Sequence, residues 1–299
     1  MLMKRFFENL KQKREETKIR RQKRAEAKRL SCLKIELEPY YSTNYKDKTF
    51  IDLITVAFNN PKIVEYQIRL FKKFIKGSYT QIICDNSNNE EKAKAIREVC
   101  EKLDTTYINI TSTEKASGFS DSHGRALNRI YKSIIKTRQT NFALLDHDIL
   151  PIKEINIEDY LKNTNLAGYV IERAGIWYLW AGFGFFKYER IKNLKLNFRR
   201  YRIFNIFKAE GADTGSGNWY PLYSKCGRND VYEAKEELWN IRENRPANEN
   251  EQEGKVIQES MVQYFFERTW LHTECASEWI DCKGKNDLIY EMLEDILKN

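Results

Sequence analysis

The stretch from residue 50 to residue 148 alternates between short apolar runs and amphipathic segments, and this alternation strongly constrains the fold. The apolar runs have the length and the β-branched content of buried strands, whereas the segments between them carry apolar residues at helical spacing. We predict strands at 50–58, 79–84, 106–110 and 141–145, with helices beginning at Pro61, near residue 90 and at His123. This order predicts an α/β fold with a Rossmann-like, mostly parallel twisted sheet flanked by helices.

Polar residues follow three of the predicted strands, at Asn59, Asp85 and Asp146. The carboxyl ends of parallel strands meet at one edge of a sheet, and open α/β sheets bind their ligands at that edge. The sequence therefore predicts a ligand site built from these strand ends.

The net charge of +8 is concentrated in the first 30 residues, which hold twelve Lys or Arg and four Glu. The rest of the chain is neutral, so we expect no nucleic-acid partner for the body. We interpret the basic segment as a solvated helix or as a segment that contacts an anionic membrane surface. RNA binding is the third interpretation.

The chain contains no apolar run of transmembrane length and no secretory-signal pattern at its start. Its six cysteines form no CxxC pair, which favours reduced thiols. We expect a cytoplasmic protein, with peripheral contact at the inner face of the membrane through residues 1–30. The expected organisation begins with a basic helical arm and linker (1–47), which one further domain follows.

Asp146-His147-Asp148 follows the predicted fourth strand and carries the strongest chemical signal. Two carboxylates one residue apart at a strand end can share a hard divalent cation and donor hydroxyls. Such a cation neutralises the charge that develops on a departing diphosphate. The alternative is a solvated turn after a strand.

Other residues carry weaker signals. His123 and Gly124 open a helix, where backbone N–H groups favour anions. Asp85 can read a base or ribose, or can form an Asx turn. Asp213 is a candidate general base, or a cap for the segment that follows it. Trp180, Gly182 and Phe183 are candidates for acceptor or sugar contact, with core packing as the alternative for the aromatic rings.

Residues 50–150 resemble the glycosyltransferase A fold, and within it family-2-like glycosyltransferases. The matching elements are the opening strand with Asn59-Asn60, the Cys84–Ser87 strand end, the Ser122–Asn128 helix start and the Leu144–Asp148 strand end. The resemblance implies a nucleotide pocket; its expected residues are Thr55, Ala57, Asn59, Asp85, Asn86, His123, Gly124 and Asp146. It implies Mn²⁺ or Mg²⁺ held by Asp146, Asp148 and His272. It also implies a nucleotide-sugar (donor) binding half (48–152) and an acceptor half with C-terminal helices of the same catalytic domain (153–299).

The expected activity is transfer of a sugar from a nucleotide-diphosphate sugar to an acceptor hydroxyl, with inversion and with Asp213 as base. The expected acceptor is a glycan or a lipid-linked glycan, in the synthesis of a surface polysaccharide. A sugar-phosphate nucleotidyltransferase is one alternative, disfavoured because no glycine-rich loop follows the first strand. The other alternative is an inactive binding module that keeps the fold.

Overall fold

The computed structural model describes residue 17 and residues 50–110, 119–173, 175–200, 202–204, 209–248, 260–274 and 284–299. The chain divides into two units, 1–42 and 43–299. The predicted basic arm at 1–47 lies outside the described residues, apart from Thr17.

A seven-stranded sheet forms the centre of the second unit, in the order β12-β8-β9-β5-β1-β3-β4. Four of its six strand pairs are parallel, and the two pairs that involve β9 are antiparallel. Its strands are β1 (Ile51–Ala57), β3 (Tyr79–Asp85), β4 (Thr106–Asn109), β5 (Asn141–Asp146), β8 (Leu166–Arg173), β9 (Ile176–Phe186) and β12 (Val231–Glu233). The predicted α/β class with a mostly parallel sheet is therefore confirmed.

A second sheet of five strands is antiparallel, in the order β14-β13-β15-β16-β6. Its strands are β6 (Ile149–Pro151), β13 (Glu236–Asn240), β14 (Arg245–Pro246), β15 (Met261–Phe265) and β16 (Trp270–His272). Two short pairs, β2 (Ile75–Lys76) with β7 (Ile155–Asn156) and β10 (Arg202–Phe204) with β11 (Ala209–Gly211), complete the described strands. The sequence analysis did not predict the second sheet.

The described helices are α1 (Pro61–Phe74), α2 (Glu90–Lys102), α3 (Phe119–Ile130), α4 (Lys136–Arg138), α5 (Asp159–Lys162), α6 (Tyr188–Ile191) and α7 (Lys285–Lys298). A π-helical turn, Tyr131–Ile135, joins α3 to α4. Short 3₁₀ turns cover Ser216–Asn218, Tyr223–Lys225 and Arg228–Asp230.

Helix α1 begins where the sequence predicts. The Asn60 side chain accepts a hydrogen bond from the Ile63 N–H, and Pro61 occupies the first helical position, where its missing N–H costs nothing. Helix α3 differs from the prediction, because it begins at Phe119 rather than at His123. His123 and Gly124 therefore lie inside the helix, and their backbone N–H groups are not at its start.

The apolar core lies between the two sheets. Leu53, Leu145 and Phe185 of the central sheet cluster with Phe265 and Trp270 of the second sheet, and all five are fully buried. The second sheet thus contributes Ile149, Phe265 and Trp270 to a cluster whose other members come mainly from the central sheet and the elements around it.

No helix of the described chain has the length and apolarity needed to span a lipid bilayer.

A buried ion pair lies near the start of the parallel sheet. The Arg138 guanidinium donates to both Asp52 oxygens at 2.6 and 2.7 Å, and the Thr140 hydroxyl donates to the same carboxylate. Both charged side chains are at most 4% exposed. The pair joins β1 to the turn that leads into β5.

We expect Arg138→Met to lower the free energy of unfolding by roughly 3–5 kcal/mol, because it leaves the Asp52 carboxylate buried without its cation. Urea denaturation followed by tryptophan fluorescence measures the change. Arg97→Met is the matched control, since Arg97 pairs with Glu101 on an exposed helix surface and should cost no more than about 1 kcal/mol. Equal losses in the two variants would contradict the importance of the buried pair.

Candidate functional site

The Asp146-His147-Asp148 turn is the point where the chain passes from the central sheet to the second sheet. Strand β5 ends at Asp146 and β6 begins at Ile149. The Gln67 side chain donates to the carbonyl oxygens of Asp146 and Ile149, both at 2.9 Å, and accepts from the Thr55 hydroxyl at 2.8 Å. Gln67 is fully buried. One glutamine of α1 therefore fixes both ends of the turn.

His147 anchors the middle of the turn to β1. Its Nδ1 lies 3.2 Å from the carbonyl oxygen of Val56, which only accepts, so Nδ1 carries the proton. The side chain is 7% exposed, and its Nε2 has no hydrogen-bond partner among the described residues. The buried His147 ring therefore fastens the turn to β1.

Strand pairing brings His272 against Asp148. In the β6–β16 ladder His272 lies opposite Ile149, and the Thr273 N–H donates to the Asp148 carbonyl at 3.1 Å. His272 Nε2 lies 3.5 Å from Asp148 Oδ2, with side chains only 11% and 10% exposed. The register of two short strands thus sets the distance between these two groups.

The Asp148–His272 pair is electrostatically coupled. Burial alone would raise the pKa of the Asp148 carboxyl, but His272 and, less strongly, His147 hold that pKa well below its usual range. Burial alone would lower the pKa of His272, but Asp148, Glu274 and Asp146 raise it. The two groups therefore attract a positive charge into the space between them, which is either a proton on the ring or a cation.

Asp146 and His123 form a second pair at the same edge, with His123 Nε2 3.1 Å from Asp146 Oδ1. These side chains are 20% and 24% exposed, more open than the first pair. Burial opposes a charge on His123, but Asp146 first, then Asp213 and Asp148, outweigh burial and raise its pKa. Three carboxylates therefore favour a charge on the His123 imidazole, and Asp146 is the one that contacts it.

Gly182 of β9 leaves room for this arrangement. A Cβ atom at this position would meet Asp146 Oδ2 at 2.6 Å and the Trp180 ring at 2.4 Å. The predicted site residue Gly182 therefore lies in the site, and its lack of a side chain is what admits the Asp146 carboxylate.

Trp180 and Phe183 lie in different environments. Trp180 is partly exposed, and its ring centroid is 5.0 Å from that of His272. Phe183 is fully buried and packs on Phe265 and Trp270. Alternate residues of a strand face opposite ways, so the expectation that Phe183 contacts a sugar is corrected: its ring belongs to the core.

Asp213 lies on a loop that packs against β9. Its N–H donates to the Tyr178 hydroxyl at 2.8 Å, and its Oδ1 accepts from the Thr214 N–H at 2.7 Å. Gly215, at a φ of +94°, approaches Leu179 so closely that a Cβ would lie 2.5 Å from its carbonyl oxygen. Asp213 is partly exposed.

Asp85 has a structural environment instead of the predicted ligand-facing one. It is fully buried, and its oxygens accept from the Ser87 N–H and the Tyr107 hydroxyl, each at 2.8 Å. The first bond closes an Asx turn, the alternative that the sequence left open. Asn86 is 7% exposed and joins the strand end to α3, donating to Ser122 and accepting from Arg129, both at 3.0 Å.

The residues expected after β1 also differ from the prediction. Thr55 and Ala57 are fully buried, so their side chains do not line a pocket. Asn59 adopts a left-handed backbone, with φ of 52°, and its side chain bonds to Asn88 and to the N–H of Asn89. Gly124 allows close packing of α3, because a Cβ there would lie 2.9 Å from the Arg199 Cα.

The described residues contain no group of three His, Cys, Asp or Glu side chains close enough to hold a metal ion by themselves. Asp148 and His272 form a pair of metal-binding groups, with Asp146 nearby on the same turn. A cation held here would need further oxygen ligands from outside the protein, as Mg²⁺ and Mn²⁺ commonly obtain from substrate phosphates.

Two residues that support these groups are hard to recognise from the sequence. Gln67 lies on the buried face of α1, and a glutamine at such a position indicates a polar role. Gln263, whose Oε1 faces His272 Nδ1, carried no signal, because its contact depends on the β15–β16 register.

No family model and no curated protein sequence matches the chain. Several solved structures are similar to it. A mannosyltransferase from Pyrobaculum calidifontis, in complex with GDP-Man and Mn²⁺, is 15% identical over 56% of this chain and 51% of its own, with a TM-score of 0.36. This chain thus spans about half the length of that enzyme.

Two further structures are similar at the same level, each with a TM-score of 0.36 and 11% identity over 62% of this chain. They are glucosyl-3-phosphoglycerate synthase from Mycobacterium tuberculosis, covered over 68% of its length, and the galactosyltransferase LgtC, covered over 73%. All three are glycosyltransferases, the class that the motifs of this chain resemble. Similarity this low does not identify a function, which has to be argued from the chemistry of the site.

We expect Gln67→Met to lower the free energy of unfolding by roughly 2–4 kcal/mol, because each buried polar group left without a partner costs about 1–3 kcal/mol. Amides of residues 146–149 should exchange with deuterium faster than in the wild type. Gln81→Met is the matched control, because Gln81 is 8% exposed and its Nε2 has no partner among the described residues. A Gln67 variant as stable as this control would contradict the anchoring role.

Proposed function

We propose that this protein is a divalent-metal-dependent glycosyltransferase that moves a sugar from a nucleotide-diphosphate sugar to an acceptor hydroxyl. The observation that carries the proposal is the placement of His272 against Asp148, at the carboxyl end of the central strand β5. Asp146, His123 and Asp213 lie around the same edge. This is the edge of an open α/β sheet at which nucleotides bind.

The donor set fits a hard divalent cation. Carboxylate oxygens suit Mg²⁺ and Mn²⁺, and an imidazole nitrogen is also accepted by Mn²⁺. His272 Nδ1 bonds to Gln263 Oε1, so in the neutral ring the Nε2 lone pair faces Asp148 Oδ2. Two electron-rich atoms 3.5 Å apart repel unless a positive charge lies between them. A bound cation would also keep the ring neutral, because its charge opposes protonation.

In this proposal Asp148 and His272 hold the cation and Asp146 adds a ligand or meets the donor ribose. The cation, when bound, neutralises the negative charge that develops on the leaving nucleoside diphosphate. His123, paired with Asp146, is placed to orient that carboxylate and to offer a proton to a donor oxygen.

Asp213 is proposed as the general base. Its Oδ1 is held by the Thr214 N–H, and the loop is fixed to β9 through Tyr178. In this proposal the second oxygen, Oδ2, accepts the proton of the acceptor hydroxyl. A base on the face opposite the departing diphosphate gives transfer with inversion.

The acceptor side is proposed to include Trp180, whose partly exposed ring lies beside His272. Aromatic rings of this kind bind the apolar face of a sugar, and here the ring would adjoin the reacting centre. We also propose that the acceptor is a glycan or a lipid-linked glycan in surface-polysaccharide synthesis. The proposed location is cytoplasmic, with membrane contact through residues 1–30.

Metal-dependent binding of nucleoside diphosphates tests the donor site. We expect UDP or GDP to bind in isothermal titration calorimetry only with Mn²⁺ or Mg²⁺ present, and Asp148→Asn to weaken binding by at least tenfold because it removes a metal-ligand charge. Asp295→Asn, on the exposed surface of α7, serves as the control and should bind like the wild type. Equal binding with and without metal would reject the metal-dependent transferase.

Turnover of a nucleotide sugar tests Asp213. A screen of nucleotide-sugar hydrolysis with Mn²⁺ first identifies the donor. We then expect Asp213→Asn to reduce kcat by roughly 10²–10⁴-fold, the usual contribution of a general base, while the donor Kd stays within a factor of about three. Turnover at the wild-type rate would exclude the base assignment without affecting the metal site.

A further inference from the structure

A row of hydrogen bonds runs from His272 across the second sheet towards solvent. His272 Nδ1 bonds to Gln263 Oε1, Gln263 Nε2 donates to Glu236 Oε1, and the Tyr169 hydroxyl donates to Glu236 Oε2 at 2.8 Å. The row begins at a buried histidine and ends at an exposed glutamate. Its members come from three strands of the second sheet and from β8.

Strand register brings these side chains together. Gln263 of β15 lies directly opposite His272 of β16, and Glu236 of β13 lies diagonally across from Gln263, which is itself opposite Leu238. Directly opposed and diagonal residues on one face of an antiparallel pair are within side-chain reach. The row is therefore a property of the sheet and not of a mobile loop.

The Glu236 carboxylate determines the direction of every bond in the row. A carboxylate accepts and does not donate, so the amide group of Gln263 must present its NH₂ to Glu236. The amide oxygen then faces His272, and Nδ1 of the ring must be the donor. Only Nε2 is left to face Asp148.

The same strand also fixes the plane of the ring. Phe265, two residues after Gln263, stacks on His272 at 6.4 Å with an interplanar angle of 20°, and Trp180 covers the ring with a centroid distance of 5.0 Å. Tautomer and orientation are thus both determined before a ligand arrives. Groups that bond to the second nitrogen of a metal-binding histidine have this effect in metal sites generally.

We propose that Gln263 and Glu236 are positioning residues that hold the His272 ring with its proton on Nδ1 and its Nε2 lone pair directed at the cation site. This inference rests on the proposed function, since it assigns His272 to a metal ion. It adds two residues that touch neither the cation nor the sugar donor. Neither residue was identified from the sequence.

Exchanging the two functional groups tests the direction of the row. Gln263→Leu removes the acceptor for Nδ1. The double variant Glu236→Gln/Gln263→Glu restores it, because the new carboxylate accepts from Nδ1 and from the new amide, whose oxygen accepts from Tyr169. Glu237→Gln is the matched control, since Glu237 bonds to Arg268 instead.

Two measurements detect the loss of the acceptor for His272 Nδ1. The chain has three histidines, so ¹⁵N NMR of the imidazole nitrogens resolves each ring, and His272→Gln assigns the His272 signals. At a pH at which the ring is neutral, Nδ1 should carry the proton in the wild type, the control and the double variant. In Gln263→Leu the proton should move in part to Nε2.

Mn²⁺ affinity, measured by electron paramagnetic resonance with UDP or GDP present, is the second measurement. We expect Gln263→Leu to weaken Mn²⁺ binding by about 10–100-fold, as loss of such supporting groups does in other metal sites. The double variant should recover most of that loss, and the control should equal the wild type. Circular dichroism confirms that each variant is folded.

An unchanged tautomer in Gln263→Leu, or a double variant no better than Gln263→Leu in both measurements, would overturn the positioning role. Absence of Mn²⁺ binding by the wild type would instead reject the proposed function. The NMR measurement would still show whether the row fixes the tautomer, so the two failures are distinguishable.

Discussion

The hydrogen-bonded ladder between β6 and β16 joins opposite halves of the chain directly beside the turn that ends β5. Three residue pairs form it, and the last of them sets His272 against the residue that follows Asp148. A register shift of one residue would turn the imidazole to the other face of the sheet. The distance between the carboxylate and the imidazole, and hence any cation site between them, depends on this register.

The ladder is stabilised by groups on both sides of it. Trp270, in the same strand, is fully buried in the core between the sheets, and its indole N–H donates to the Tyr160 hydroxyl at 2.7 Å. On the other side Gln67 fixes the carbonyl groups at the two ends of the turn. The charged groups therefore lie on a rigid support, which is what a site that must not reorganise during reaction requires.

Much of the first half of the folded unit, 48–152, could be predicted because its signals are local. The caps and periodicity of α1, the apolar run of β5 and the polar residues after it are all readable within a few residues. The role of Asp85 was not readable, because an aspartate at a strand end serves equally well as a ligand contact or as an Asx turn. The Ser87 N–H closes the Asx turn, and the Tyr107 hydroxyl, which arrives from β4, bonds to the second oxygen, so the structure decides for the turn.

The second half of the unit, 153–299, depends on contacts that no local pattern contains. Trp180 and Phe183 look alike in sequence, but in the structure Phe183 is fully buried in the core, whereas Trp180 packs against the edge of that core, stays partly exposed and contacts the His272 ring. Gln263 is a still clearer case. It is an ordinary polar residue of a short strand until the register places it beside an imidazole and the Glu236 carboxylate orients its amide. Such supporting residues are defined by their neighbours, so the charged groups of a site are visible in a sequence before the groups that orient them.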